Sequence, residues 1–422
     1  MKRFDLASLL VLSFFMGIPA LITACGEEAE APSPATTASA SPKASPAGEE
    51  VPGVTDTEIL LGSHLPLSGS AAAAYAPVGD GMRAYFDYIN DLEGGVYGRK
   101  IKLIVGDDHY NPPDTVEVTK RLVEQDKVFA IIAGLGDETH GAVWKYLEER
   151  GVPDMFIASG LHKYTEPPVL TRFIGIPDYR IEAQMLGEYI AKNYNGKKLG
   201  ILRENNEMGL DGMVGIQKGL EGSDVEIVAE ETCEAIVADV SAQTQRLSNA
   251  GAEVVLSYAG PLMSASLVKT AREVISWDAP ILVSGVDASD IFIELAGREN
   301  AEGVISVVFG HQVYETDYPG IQQHYDIMEK YGQGVPVSNF TLIGATIAEF
   351  MVEALKKAGP DLTREGLARA TESIRDFTCS VCLTPANMSP TDHRPMEIEM
   401  YNRVQDGKWV AFGEPVNFES SP

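Results

Sequence analysis

The chain has 422 residues, enough for two lobes of ordinary domain size. Its composition, 45% hydrophobic and 22% charged, is that of a globular protein. The formal net charge of -28 argues against a nucleic-acid partner, because phosphate backbones are gripped by basic surfaces.

Met1 to Cys25 reads as a targeting segment. Lys2 and Arg3 form a basic start, and the apolar run from Leu9 to Ile22 is short for a membrane span. Small residues then precede a cysteine in Leu21-Ile22-Thr23-Ala24-Cys25. This resembles a bacterial lipoprotein processing site, which implies a signal peptide over 1–25, lipidation of Cys25 and an extracytoplasmic, membrane-anchored location. Residues 26–52 are rich in Ala, Ser, Pro and Thr, cannot bury a core, and are expected to form a disordered tether.

The folded body is expected from Gly53. A strand at Glu58 to Leu65 leads into the small-residue loop Pro66 to Ser70 and a helix through Met82, Tyr85, Phe86 and Ile89. After the Gly94-Gly95 turn come a strand at Ile101 to Val105, ending in Asp107-Asp108, and a helix over Thr115 to Gln125. Phe129 to Ala133 is a short apolar strand that meets Gly134-Leu135-Gly136. A helical pattern with Val143, Tyr146 and Leu147 on one face follows, and Pro153 precedes a second apolar strand, Met155 to Ala158, ending in Ser159-Gly160.

That β-loop-α-β unit recurs. Glu253 to Gly285 opens with a strand, continues through an Ala259-Gly260 loop and a helix, and after Pro280 has a strand ending in Ser284-Gly285. Gly134 and Gly160 lie 26 positions apart, and Gly260 and Gly285 lie 25 apart. Two copies of one unit argue for two similar α/β lobes, with small residues at the strand ends where a ligand could approach backbone N–H groups. The second lobe is expected to hold a helix at Asp178 to Tyr194, a strand at Lys198 to Arg203, a helix at Asp211 to Leu220, a strand at Val225 to Glu231 and a helix at Ser241 to Ala250. The chain recrosses near Val307 to Gln312. Asn339 to Lys357 has the apolar spacing of a core-facing helix, Thr363 to Ile374 is another, and Met396 to Val404 with Lys408 to Phe412 form a hairpin around Asp406-Gly407.

Gly53-Val54-Thr55-Asp56-Thr57-Glu58-Ile59, Pro66-Leu67-Ser68-Gly69, Gly94-Gly95-Val96-Tyr97-Gly98-Arg99, Asp107-Asp108 and Ala158-Ser159-Gly160 together resemble the extracytoplasmic solute-binding proteins of branched-chain amino-acid ABC transporters. The resemblance spans roughly Gly53 to Phe412. It implies the type I periplasmic binding protein fold, α/β, with two doubly wound Rossmann-like lobes joined by three hinge crossings. Lobe one is expected to comprise 53–175 and 309–390, and lobe two 176–308 and 391–422. The implied function is capture of an amino acid or related small carboxylate between the lobes for an ABC permease, by a monomer. A ligand-sensing receptor subunit for an amide or aromatic acid is the alternative.

Loop N–H groups at Leu135-Gly136 and Ser159-Gly160 are expected to hold the ligand carboxylate, as in that family. Ser68 joins them on lobe one, with Tyr75 and His64 as covers of the pocket. On lobe two, Met208 stands where the family usually has an aromatic, and Tyr258 precedes Gly260-Pro261. Asp287 is the candidate partner of an ammonium; a capping or solvated-loop role stays open for it.

The Gly134 loop lacks the third glycine and the ribose-binding acid of a dinucleotide site. The 7 histidines show no metal-ligand spacing, and no catalytic motif is evident, so neither enzyme activity, a metal nor a cofactor is expected. Beyond Cys25 there are Cys233, Cys379 and Cys382. A structural Cys379–Cys382 disulfide is favoured over a redox pair, and pairing of Cys233 stays open.

Overall fold

The structure, a computed structural model, describes residues 50–417. The expected signal peptide, Cys25 and the tether up to residue 49 lie outside the described residues. Among the described residues no helix is long and apolar enough to cross a membrane.

Two sheets organise the fold. The first contains β1 (Glu58–Leu65), β2 (Lys100–Asp107), β3 (Ala130–Ile132), β4 (Asp154–Ile157) and β5 (Arg172–Ile174), all parallel, in the order β2-β1-β3-β4-β5. The second contains β6 (Lys198–Glu204), β7 (Glu226–Cys233), β8 (Val254–Tyr258), β9 (Ile281–Val283), β10 (Ile305–Val308), β11 (Ile398–Gln405) and β12 (Lys408–Asn417). Its parallel part runs β7-β6-β8-β9-β10, the same order as the first sheet, and the β11–β12 hairpin extends it antiparallel to β10. Each sheet is therefore doubly wound, and its strand order reverses between its first and third strands.

The residues account for this layering. Every side chain of β3, β4 and β8 is buried, so these mostly apolar strands are covered on both faces rather than alternating. The helix Asn339–Ala358, late in the chain, packs on the first sheet: Phe340, Ile347, Phe350 and Met351 share a core with Ile59, Leu61, Phe86 and Phe156. It lies so close to the helix Ala72–Leu92 that a Cβ on Gly81 would fall 1.9 Å from the Thr341 carbonyl oxygen, and one on Gly344 would fall 2.0 Å from that of Val78. The chain thus passes from the first sheet to the second after β5, returns after β10, and leaves again before β11.

Several elements differ in detail from expectation. The helix foreseen at Asp211 starts earlier, at Glu207, because the Asn206 side chain caps it by accepting from the Gly209 N–H. The helical pattern around Val143 is two short helices, Asp137–Gly141 and Trp144–Glu149, broken where Gly141 weakens the helix. A helix at Pro319–Tyr331, burying Ile321, His324, Ile327 and Met328, was not foreseen. The hairpin turns on Asp406 (φ 53) and Gly407 (φ 67), both left-handed as a tight two-residue connection requires. Cys379 and Cys382 form a disulfide with Cα atoms 5.1 Å apart, and Cys233 is free and buried.

Candidate ligand-binding cleft

The loops that follow β3, β4, β5, β6, β8, β9 and β10 converge on one cleft of about 1200 Å³, counting space open to solvent. It lies beyond the carboxyl ends of both parallel sheets, where doubly wound folds bind ligands. Leu135, Gly136 and Asp137 enter from β3, Glu204 and Met208 from β6, Gly260 from β8, and Gly285 and Val286 from β9. Tyr75 and Tyr110 stack with centroids 5.8 Å apart, and Phe340 meets Tyr75 edge-on at 5.4 Å. Val308, Ile343, Val381, Met396 and the Cys379–Cys382 bridge add apolar wall.

Tyr75, Leu135, Gly136 and Met208, named from the sequence, line this cleft, and the other residues named there do not. Ser68 is exposed, its Oγ donating to Asp107 at 2.7 Å. Ser159 is fully buried, its Oγ donating to Asp137 at 2.5 Å. Gly160 is pressed against Pro177 and the Tyr179 ring. The Tyr258 hydroxyl donates to the Tyr179 carbonyl at 2.8 Å inside the core. Asp287 is also fully buried; its Oδ2 accepts from Ser284 Oγ at 3.2 Å, its Oδ1 has no partner, and burial pushes its carboxyl well above the usual range. The N–H groups of Leu135 and Gly136 already point at the carbonyls of His64 and Ala158, each at 3.4 Å.

His64 is no cover of the pocket. It is fully buried in a chain of four side chains: Asp108 Oδ2 to His64 Nδ1 at 2.9 Å, His64 Nε2 to His140 Nδ1 at 3.0 Å, and His140 Nε2 to Asp154 Oδ2 at 2.9 Å. Gly134 is needed above it, since a Cβ there would lie 2.3 Å from His140 Nδ1. Burial lowers the basicity of His64 more than its bond to Asp108 raises it.

Three cleft carboxyls were missed in the sequence. Glu204, the last residue of β6, accepts from the Gly260 N–H at 2.9 Å and from the Asn206 side chain at 2.7 Å. It sits where the strand order of the second sheet reverses, a position that could have singled it out. Glu182, on the helix Tyr179–Asn193, accepts from the Gly285 N–H at 2.9 Å. Asp137 accepts from Ser159 and from the Tyr179 hydroxyl, the latter at 3.3 Å. Burial raises Asp137 to about 6 and Glu204 to about 7, and pushes Glu182 up as well; the charge of Asp137 adds to the rise at Glu204. None of the three has a basic partner in an ion pair among the described residues.

Residues 58–407 match the periplasmic binding protein family. The chain belongs to that family. An amino acid binding protein of Pseudomonas aeruginosa is 24% identical over 307 residues, covering 72% of this chain and 79% of its own. Among solved structures, a branched-chain amino acid ABC transporter protein from Thermus thermophilus with bound valine superposes with a TM-score of 0.76 at 22% identity, over 86% of this chain and 97% of that one. A fatty acid ABC transporter substrate-binding protein from Thermomonospora curvata gives 0.79 at 23% identity, over 88% and 95%. These likenesses carry the fold: the twin sheets of this binding protein are those of type I members of the family.

Proposed function

We propose that this chain is a solute-binding protein of an ABC importer, held outside the cell by a lipid on Cys25, that closes on a small organic solute. Amino acids are the class named for several of its relatives. The observation that carries the reading is a cleft lined from the carboxyl ends of both sheets, with carboxyls and aromatic rings on its walls. On this reading residues 53–175 and 309–390 form one lobe and 176–308 and 391–422 the other, and a permease receives the closed, monomeric form. Binding supplies the whole effect; no bond is made or broken.

The test is a thermal-shift screen of the full chain against amino acids, amines, organic acids, amides and sugars. A ligand that binds only the folded form raises the melting temperature with concentration. A screen in which no small solute does so, confirmed by calorimetry, overturns the proposal.

A further inference from the structure

Given the solute-binding reading above, the chemistry of the cleft bears on which solute it takes. Three donors at the strand ends that could grip a ligand carboxylate are already engaged by the protein's own acids. Ser159 Oγ donates to Asp137 at 2.5 Å, the Gly260 N–H to Glu204 at 2.9 Å, and the Gly285 N–H to Glu182 at 2.9 Å. No lysine or arginine is among the lining residues, and the one histidine, His311, turns its Nδ1 to Glu315 at 2.7 Å. A carboxylate entering here would meet three acids and no basic side chain.

The acids have room for a cation. Each is at least nine-tenths buried, and a carboxylate can accept more hydrogen bonds than the two that Asp137 and Glu204 each receive from side chains and backbone. An independent acceptor lies in the same wall: Gln312 lines the cleft, is 6% exposed, and its Oε1 has no hydrogen-bond partner. Such a buried orphan can accept a hydrogen bond from a donor that enters the cleft. The stacked Tyr75 and Tyr110 rings supply aromatic faces that attract a cation, and the apolar wall at Val308, Ile343 and Met396 suits a hydrocarbon body.

We infer that the solute is an organic amine: an ammonium on an aliphatic or aromatic body, with no carboxylate of its own. Asp137, Glu182 and Glu204 surround the ammonium, Gln312 accepts a further N–H, and the aromatic rings cover the rest. The arrangement departs from α-amino-acid recognition by setting three buried acids and no basic side chain around the cleft.

Calorimetric titration of the full chain with matched trios tests this. One trio is 2-phenylethylamine, phenylalanine and 3-phenylpropanoate; the other is 3-methylbutylamine, leucine and 4-methylpentanoate. The expected result is that in at least one trio the amine binds at least tenfold tighter than its amino acid, while the acid shows no saturation. Glu204→Gln and Glu182→Gln should each weaken the amine at least tenfold; if either variant fails to fold, the wild-type ranking decides. An amino acid or acid that binds as tightly as its amine, or amines that all fail while another solute of the wider screen binds, overturns the inference and leaves the solute-binding reading standing. Failure of every solute in that screen removes both.

Discussion

Glu204 gives a test that needs no ligand. Its carboxyl is 5% exposed and raised from 4.5 to about 7, chiefly by burial and then by the charge of Asp137. An acid that holds its proton more tightly folded than unfolded costs nothing below its unfolded value. The cost grows as pH rises and is complete above the folded value. At ~1.4 kcal/mol per pH unit, a rise from 4.5 to about 7 amounts to about 3 kcal/mol of lost stability at pH 8. Glu204→Gln removes the charge and keeps the shape. Its oxygen can still accept from the Gly260 N–H, so the change at pH 5, where the native carboxyl is largely protonated, should be within about 1 kcal/mol. Between pH 5 and pH 8 the variant should therefore gain about 2–3 kcal/mol over wild type, read as the difference in unfolding free energy from denaturant titrations at each pH. A difference that stays flat across that range, or that favours wild type at pH 8, would refute the assignment of an uncompensated buried charge to Glu204. The same variant is expected to bind amines less well, so it should be more stable and less functional at once.

Two further perturbations address the frame around the cleft. His140→Ala leaves His64 Nε2 and Asp154 without partners in a fully buried site and should cost about 3–5 kcal/mol in denaturant unfolding, whereas His109→Ala, at an exposed position, should change stability by under ~0.5 kcal/mol; equal effects would mean that the buried chain contributes nothing. Gly81→Ala forces the two packed helices apart and should destabilise by about 1–3 kcal/mol, while at Gly141 a Cβ meets nothing closer than 3.6 Å and alanine should be neutral or mildly stabilising; thermal melts in which the two variants match would contradict the backbone contact with Thr341.

The architecture was largely legible in the sequence because it is written in local patterns. Continuous apolar runs marked the buried parallel strands, the repeated β-loop-α-β unit marked the twin sheets, and Asp406-Gly407 marked the hairpin turn. The cleft was less legible. Leu135, Gly136 and Met208 could be placed because they follow strands directly. Ser159 could not be assigned its partner, Asp137, which lies 22 positions earlier and reaches it only through the fold. Likewise His64 and His140 are 76 positions apart, so no spacing rule joins them. Asp287 was put forward for the amine because it follows a strand of the second sheet, yet the turn Gly285–Asp287 folds its side chain back toward Ser284. Glu182, on a helix rather than at a strand end, escaped the same rule and reached the cleft from the side.

Asp137 follows a strand of one sheet and Glu204 ends a strand of the other, and each lies at the shared boundary. On the proposed reading, closure would press these like charges toward one another, so the empty jaw would resist shutting. The amine inferred above would cancel that push by sitting between them and so act as its own latch, whereas a neutral visitor of the same shape would leave the push in place.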